Sequence, residues 1–172
     1  MIRLRPYKAC DADRIVTWIK DEVMFHQWSA NRFNGLYPLS AAALNSYYDR
    51  EAYNDSFWQM TAINEYNQVV GHFIMRFTDE EKKIVRLGFV ILDDSKRGRG
   101  YGKEMIGLAV RYALEILRAE KVTLGVFTNN PSAHACYAAA GFQDVYTNER
   151  AFRIGHDYWP CTEMEINAKK ER

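Results

Sequence analysis

The chain has 172 residues, of which 48% are apolar, and a formal net charge of +1 at neutral pH. This length and apolar content predict one folded domain with its own core and exclude a disordered polar chain. Because proteins that bind nucleic-acid backbones usually carry a clear basic excess, the near-neutral charge disfavours nucleic acid as a partner.

The cysteines, the histidines and the N-terminus bear on compartment and cofactors. Cys10, Cys136 and Cys161 form no paired spacing, which argues against a disulfide framework and favours a reducing compartment. No cysteine or histidine shows metal-ligand spacing. The N-terminus does not resemble a signal peptide, and no apolar run approaches the roughly 18 residues of a membrane span. We therefore expect a cytoplasmic protein without a metal or a membrane partner.

The first third of the chain is predicted to contain one strand and two helices. Residues 2–6 alternate apolar and basic side chains, which predicts a strand. Two aspartates precede apolar residues at helical spacing in residues 11–19, and Ser40 is a suitable cap for a second helix. Residues 22–38 between these helices have no clean period and are predicted to form an aromatic-rich loop.

Strand patterns dominate the rest of the chain and are interrupted by two helical segments. The last two predicted strands enclose a mobile loop, residues 148–160. The element order predicts a mixed α/β fold with an antiparallel meander followed by a strand–helix–strand crossover. The predicted strands are 57–63, 69–77, 84–92, 122–128, 143–147 and 158–166, and the predicted helices are 100–119 and 131–140.

A basic, glycine-dense turn follows the predicted strand 84–92 and leads into a helix. Glycines leave backbone N–H groups unshielded, and the start of a helix adds further donors, which together suit a phosphate group. Lys96, Arg97, Arg99 and Lys103 add positive charge. The turn lacks the hydroxyl residue of a P-loop and the third glycine of a dinucleotide-binding motif. Taken alone, it is more typical of an ordinary turn.

A second motif raises the significance of the first. Arg97, Gly100 and Gly102 fit Arg-x-x-Gly-x-Gly, and residues 130–142 fit Asn-x-x-Ala-x-x-x-Tyr-x-x-x-Gly-Phe. In this order and at this separation, the two motifs resemble the GCN5-related N-acetyltransferase (GNAT) family. The resemblance covers residues 69–142 well, and the N-terminal third only by element order. The opening strand also resembles, more weakly, the branch that acetylates ribosomal-protein N-termini.

The resemblance implies a fold and a cofactor site. The fold is a single GNAT-type domain over residues 1–172, with a mostly antiparallel sheet of about six to seven strands splayed at a β-bulge and about four helices. Acetyl-CoA, the co-substrate, is implied to bind the core, residues 84–142, with pantetheine lying beside the bulged strand. The implied cofactor-binding residues are Val90, Ile91, Leu92, Arg97, Gly98, Arg99, Gly100, Tyr101, Gly102, Lys103, Asn130 and Ala133.

Tyr137 is the catalytic residue that the resemblance implies. In the family, a tyrosine at this position protonates the departing CoA thiolate, and a phenol is a chemically reasonable donor. Without the motif, Tyr137 would be interpreted as a core aromatic residue and Asn130 as a helix cap. Cys136 has no base at helical spacing, so a buried thiol is favoured over an acyl-accepting nucleophile.

The general base is not evident from the sequence. Many relatives carry a glutamate on the fourth strand, where this chain has Arg86, and others carry one five residues before the motif asparagine, where this chain has Gly125. Alignment of amine and thioester with proton loss to water is one alternative. Glu22, His72 and Asp79 are others, although each is more typical of a surface or satisfied polar residue.

The amine acceptor is implied to bind between two aromatic-rich segments, residues 22–38 and 148–160. Their aromatic side chains are equally consistent with packing on each other. The sequence alone does not identify the acceptor. The candidate substrate residues are Glu22, Phe25, Trp28, His72 and Tyr158.

These features together favour an acetyl-CoA-dependent N-acetyltransferase, an acyltransferase that moves an acetyl group to a primary amine by direct attack in a ternary complex. The expected partners are acetyl-CoA and a small-molecule amine or a peptide N-terminus, and a homodimer is left open. A non-catalytic CoA-binding or regulatory module is the main alternative. Nucleic-acid binding through the basic turn is a remote one, which predicts affinity that collapses with salt.

Overall fold

The structure is a computed structural model that describes residues 1–169. Its seven strands form one sheet in the order β1-β2-β3-β4-β5-β7-β6. The strands are β1 Ile2–Pro6, β2 Phe57–Asn64, β3 Val69–Phe77, β4 Ile84–Leu92, β5 Lys121–Phe127, β6 Gln143–Ile154 and β7 Asp157–Asn167. The helices are α1 Ala12–Ile15, α2 Glu22–Ser29, α3 Ala41–Asp49, α4 Tyr101–Arg111 and α5 Pro131–Ala139.

The predicted mixed α/β fold with a mostly antiparallel sheet is confirmed. β1 pairs with β2, β2 with β3, β5 with β7 and β6 with β7, all antiparallel, whereas β4 and β5 are parallel. The crossover between β4 and β5 runs through α4 and one π-helical turn, Tyr112–Ile116. Seven strands lie within the predicted range, and the described residues hold one helix more than the four predicted.

The described chain divides into two compact units. Unit 1 is Met1–Arg76 with Gly88–Met105, and unit 2 is Phe77–Leu87 with the chain from Ile106 onward. The single catalytic domain over residues 1–172 stays a prediction, and residues 170–172 lie outside the described residues.

Unit 1 buries an apolar cluster formed by α1, α2, α3 and residues of β3 and β4. The additional helix, α2, lies inside the segment predicted as a loop. It begins at a cap that the sequence contains, because the Asp21 carboxylate accepts from the Met24 N–H at 2.7 Å. Ser40 caps α3 as predicted, accepting from the Ala43 N–H at 3.1 Å.

A buried carboxylate joins β1, the start of the helical segment and β2 in unit 1. Asp11 accepts two hydrogen bonds from Arg5, at 2.7 and 2.8 Å, one from the Lys8 N–H at 2.9 Å and one from Thr61 at 2.8 Å. Burial would raise the pKa of Asp11, but these hydrogen bonds outweigh burial and hold it below its usual value.

Unit 2 packs the start of β4, then β5, β7 and β6, with α5. The predicted mobile loop at 148–160 is wrong in this structure, because β6 extends to Ile154, β7 begins at Asp157, and only a tight turn joins them. The Gly155 φ of +57° lies in the left-handed region that this turn requires. Phe127, Phe152 and Trp159 pack together at this end of the hairpin, with ring centroids 5.4–5.8 Å apart.

Candidate active site

The glycine turn in unit 1 has the backbone geometry expected of an anion site. Gly98 and Gly100 have φ of +73° and +78°, and a Cβ on either glycine would meet no atom within 4 Å. The first helical hydrogen bond of α4 runs from the Glu104 N–H to the Gly100 carbonyl at 3.0 Å. The N–H groups of Tyr101, Gly102 and Lys103 therefore precede the intrahelical ladder and are available to an anion.

Asp93 fixes the start of this turn. Its N–H donates to the Val70 carbonyl at 2.9 Å, and its Oδ1 accepts from the Ser95 N–H and hydroxyl at 3.0 and 2.7 Å. Arg14 Nη2 donates to Oδ2 at 3.2 Å. Burial would raise the pKa of Asp93, but these hydrogen bonds hold it below its usual value, so the anchor stays ionised. Arg97, Arg99 and Lys103 are exposed beyond it.

Phe89 lies within β4, just before residues 90–92, the segment that the resemblance assigns to pantetheine. Its φ of +49° is rare for a side chain of this size and costs on the order of 1–3 kcal/mol. Aromatic packing offsets this cost, because the Phe89 ring lies 4.8 Å from Trp28 and 5.7 Å from Phe33, centroid to centroid. The irregularity is therefore built into the core of unit 1.

Tyr137 lies on α5 in unit 2 and is 8% exposed. Its ring contacts Phe142 edge-on, and within the described residues its hydroxyl has no hydrogen-bond partner. Burial raises the pKa of the phenol well above its ordinary value, with a smaller contribution from Cys136. Tyr137 is therefore a protonated donor at neutral pH that is open to a partner from outside the chain.

The neighbours of Tyr137 on α5 have structural roles. Asn130 Oδ1 accepts from the Ala133 N–H at 3.3 Å, so Asn130 caps the helix and Pro131 occupies its first turn, as predicted. The Ala133 N–H is used by this cap. Cys136 is only partly buried, and desolvation raises the pKa of its thiol, which favours the neutral form.

The candidate acceptor residues differ widely in accessibility. Glu22 is exposed on the first turn of α2, and Tyr158 on β7 is 43% exposed beneath the guanidinium of Arg150. Trp28 is mostly buried, and its indole N–H has no hydrogen-bond partner within the described residues. Phe25 is fully buried among the aromatic side chains of unit 1, so a ligand cannot reach it in this conformation.

His72 is also fully buried, on β3 in unit 1. Its Nε2 shares a hydrogen bond with the Tyr48 hydroxyl at 2.5 Å, and the Met60 backbone also interacts with the ring. Burial lowers the pKa of the imidazole to about 3, so the ring stays neutral across the physiological range. His72 therefore contributes to the core of unit 1 and has no open path to a substrate.

A family model described as an acetyltransferase (GNAT) domain matches residues 2–143 of this chain. The chain belongs to the GNAT family. As a GNAT protein it is an N-acetyltransferase, and the family predicted from the two motifs is confirmed. An N-acetyltransferase 9-like protein from Nematostella vectensis is 23% identical over 158 residues, which cover 86% of this chain and 77% of that protein.

Solved structures of GNAT acetyltransferases share the fold. The spermidine N-acetyltransferase from Vibrio cholerae, in complex with CoA and spermine, superposes with a TM-score of 0.82 at 19% identity and covers 96% of this chain and 95% of that one. A chimera of the Vibrio cholerae enzyme SpeG and hSSAT gives 0.79 at 19% identity, with the same two coverages. At this identity, the likeness establishes the fold.

One group on the GNAT scaffold escaped the sequence prediction, an ion pair in unit 2. Arg86 on β4 donates to both oxygens of Glu163 on β7, from Nη1 at 2.6 Å and from Nη2 at 2.9 Å. Burial would lower the pKa of Arg86, but the two bonds to Glu163 outweigh it and raise that pKa. In the sequence, Arg86 stands out only because it occupies a position where many relatives carry a glutamate. Glu163 belongs to no recognised motif.

Two findings bear on cofactor and membrane. Among residues 1–169 no group of three or more histidine, cysteine, aspartate or glutamate side chains is placed to hold a metal ion. In the same range, no helix combines the length and the apolarity needed to cross a bilayer.

Proposed function

We propose that this GNAT protein transfers an acetyl group from acetyl-CoA to a primary amine, which attacks the thioester directly in a ternary complex. The observation that carries the proposal is the glycine turn of unit 1. Its two left-handed glycines and the open first turn of α4 present backbone donors beside exposed arginine and lysine side chains. This combination suits the pyrophosphate of coenzyme A.

The cofactor site extends from this turn along β4. In the proposal, the backbone of Gly98–Lys103 holds the pyrophosphate, with Arg97, Arg99 and Lys103 neutralising its charge. The backbone of Val90–Leu92, just after the irregularity at Phe89, holds the pantetheine arm. Support also comes from the Vibrio cholerae enzyme, which was solved in complex with CoA.

The reaction balances with the groups that this chain supplies. The amine enters neutral, and its nitrogen attacks the thioester carbonyl carbon, so a C–N bond forms as the C–S bond breaks. The nitrogen loses a proton to water, and the departing sulfur takes one from the Tyr137 hydroxyl, which water then restores. Tyr137 is suited to this role because it is protonated and has no hydrogen-bond partner among the described residues.

The proposed acceptor is a small amine that is cationic in solution. The solved structures with this fold include spermidine N-acetyltransferases, one of them in complex with spermine. On this chain, two of the candidate residues are exposed. Glu22 offers a carboxylate in unit 1 and Tyr158 offers an aromatic ring in unit 2, and each group suits an amine that is cationic in solution. Peptide N-termini are a further acceptor class to be included in the test.

A thiol-release assay tests the proposal. The enzyme is mixed with acetyl-CoA and, separately, spermidine, spermine, an aminoglycoside, free amino acids and short peptides, and acetylated products are identified by mass spectrometry. We expect CoA release that depends on at least one amine and on that amine's concentration. Binding of coenzyme A without release in any mixture would refute acetyl transfer, and the absence of any binding would refute the cofactor site as well.

Gly100→Ala tests the role of the turn. The new Cβ meets no neighbour, so the change acts only through the backbone, whose left-handed conformation costs about 1–2 kcal/mol for a residue with a side chain. We expect the dissociation constant for coenzyme A, measured by calorimetry, to rise about tenfold. Gly107→Ala is the matched control, because Gly107 lies within α4, has open space around it and needs no positive φ. Equal affinities for the two variants would contradict the proposed site.

A further inference from the structure

The sheet face around Gly125 in unit 2 carries an arrangement that the proposed function has not used. Gly125 on β5 lies opposite Glu163 in the antiparallel register with β7, and Gly125 itself is exposed. A Cβ at Gly125 would lie 2.8 Å from Arg86 Nη2, 2.9 Å from Cys161 Sγ and 3.1 Å from Glu163 Oε1. The missing side chain is what lets the ion pair close over this strand.

We propose that Glu163, held by Arg86 across Gly125, is a positioning residue that binds the N–H groups of the acceptor amine. This inference rests on the proposed function and specifies the acceptor side of the same reaction. The relevant class of substrate is a primary alkylamine, which can donate hydrogen bonds to a carboxylate before and during its attack.

The Glu163 carboxylate is both fixed and accessible. Two hydrogen bonds from one guanidinium fix its plane, whereas a lysine would leave it free to rotate. The two side chains stay 29% and 23% exposed, so the pair is not sealed in the core. Each carboxylate oxygen has a further lone pair beyond the one that Arg86 uses, and these can accept from an amine.

The pairing with Arg86 suits catalysis better than an isolated carboxylate would. An isolated carboxylate would stabilise the ammonium form of the acceptor, which has no lone pair with which to attack. Beside Arg86 the site has no net charge, so Glu163 can orient the N–H groups without holding the amine in its protonated form. The amine's proton then leaves to water, and no further base is needed.

A purely structural role accounts less well for the pair. Half-buried ion pairs contribute little net stability, and apolar side chains of similar volume are often at least as stabilising. Two residues along β7, Glu165 forms an ion pair of similar exposure with Lys121 Nζ at 2.9 Å, but a lysine does not fix the plane of the carboxylate as the two bonds from Arg86 do. Cys161 does not compete as a nucleophile, because burial raises its pKa and keeps the thiol neutral.

Steady-state kinetics of Glu163→Gln and Glu165→Gln test the proposal. The two glutamates are two residues apart on one strand and each pairs with a cation, so Glu165→Gln is a matched control. We expect Glu163→Gln to raise the KM for the amine about tenfold or more and to leave the KM for acetyl-CoA unchanged. Glu165→Gln should leave both constants unchanged. An amine KM that is the same in wild type and Glu163→Gln would overturn the proposal.

Two further variants separate positioning from folding. Glu163→Gln leaves Arg86 without its partner, so the double variant Arg86→Gln/Glu163→Gln removes the unpaired charge and should still raise the amine KM. Gly125→Ala keeps all charges but requires the tips of the Arg86 and Glu163 side chains to move, because the new Cβ would lie within 3.1 Å of both. It should therefore also raise the KM for the amine and leave the KM for acetyl-CoA unchanged. Normal amine KM values in both would refute the proposal.

The outcome for wild type distinguishes this inference from the proposed function. If wild type releases no thiol with any amine, the proposed transfer itself fails. If wild type acetylates an amine and the Glu163 and Gly125 variants bind that amine normally, only the role of Glu163 fails.

Discussion

Replacing Tyr137 with phenylalanine is expected to lower kcat about 100-fold or more, while the dissociation constant for coenzyme A changes less than about twofold. A positioned proton donor typically contributes about 10²–10⁴ to a rate, and the phenol hydroxyl is the only group that this substitution removes. The ring packs against Phe142, and that contact persists in the variant. Single-turnover thiol release measures the loss, and calorimetry measures binding.

The pH dependence of wild type gives a second readout of the same residue. Because burial raises the pKa of Tyr137, the donor stays protonated well beyond neutral pH, and kcat should not fall through loss of this proton below about pH 10. A decrease of kcat between pH 8 and 9.5 that disappears in Tyr137→Phe would contradict this assignment. Tyr53→Phe, at a fully exposed tyrosine between α3 and β2, is the control and should behave as wild type.

The parts of the fold that local sequence determines were predicted well. A helix cap, a first-turn proline and a terminal glycine act within a few residues, and α5 begins at Pro131 with Asn130 capping it. The glycine turn is also determined by nearby residues, because glycine adopts its two positive φ angles without help from the rest of the fold.

Apart from α2, whose local Asp21 cap was overlooked, the errors arose where tertiary pairing decides the structure. β6 shows no alternation of buried and exposed residues, since nearly all of its side chains are exposed, and only its pairing with β7 makes it a strand. The ion pair between Arg86 and Glu163 depends on the β5–β7 register, which brings residues far apart in sequence to one glycine. A single sequence contains no signal that Arg86, Glu163 and Gly125 lie together.

A drop in pH from 6.5 to 4.5 is expected to lower the free energy of unfolding by about 2–3 kcal/mol through His72 alone. The folded state holds this imidazole neutral, with its pKa lowered to about 3 by burial, whereas the unfolded chain takes up a proton near pH 6.5. A group whose folded pKa is depressed stabilises the protein above its unfolded pKa, and this stability is lost as the pH falls. Urea titrations at several pH values measure the slope.

His72→Gln isolates this contribution, because glutamine can still bond the Tyr48 hydroxyl but does not titrate. The groups facing His72 are Tyr48, the ring of Tyr7 at 5.5 Å, the Met60 backbone and the charge of Asp11. Asp11 has its pKa held below its usual 3.8, so it titrates beneath the chosen window and cannot produce the slope. His156→Gln, at an exposed position of the β6–β7 turn, should keep the wild-type slope. If His72→Gln also kept it, the neutral buried imidazole would not be the source of acid sensitivity in unit 1.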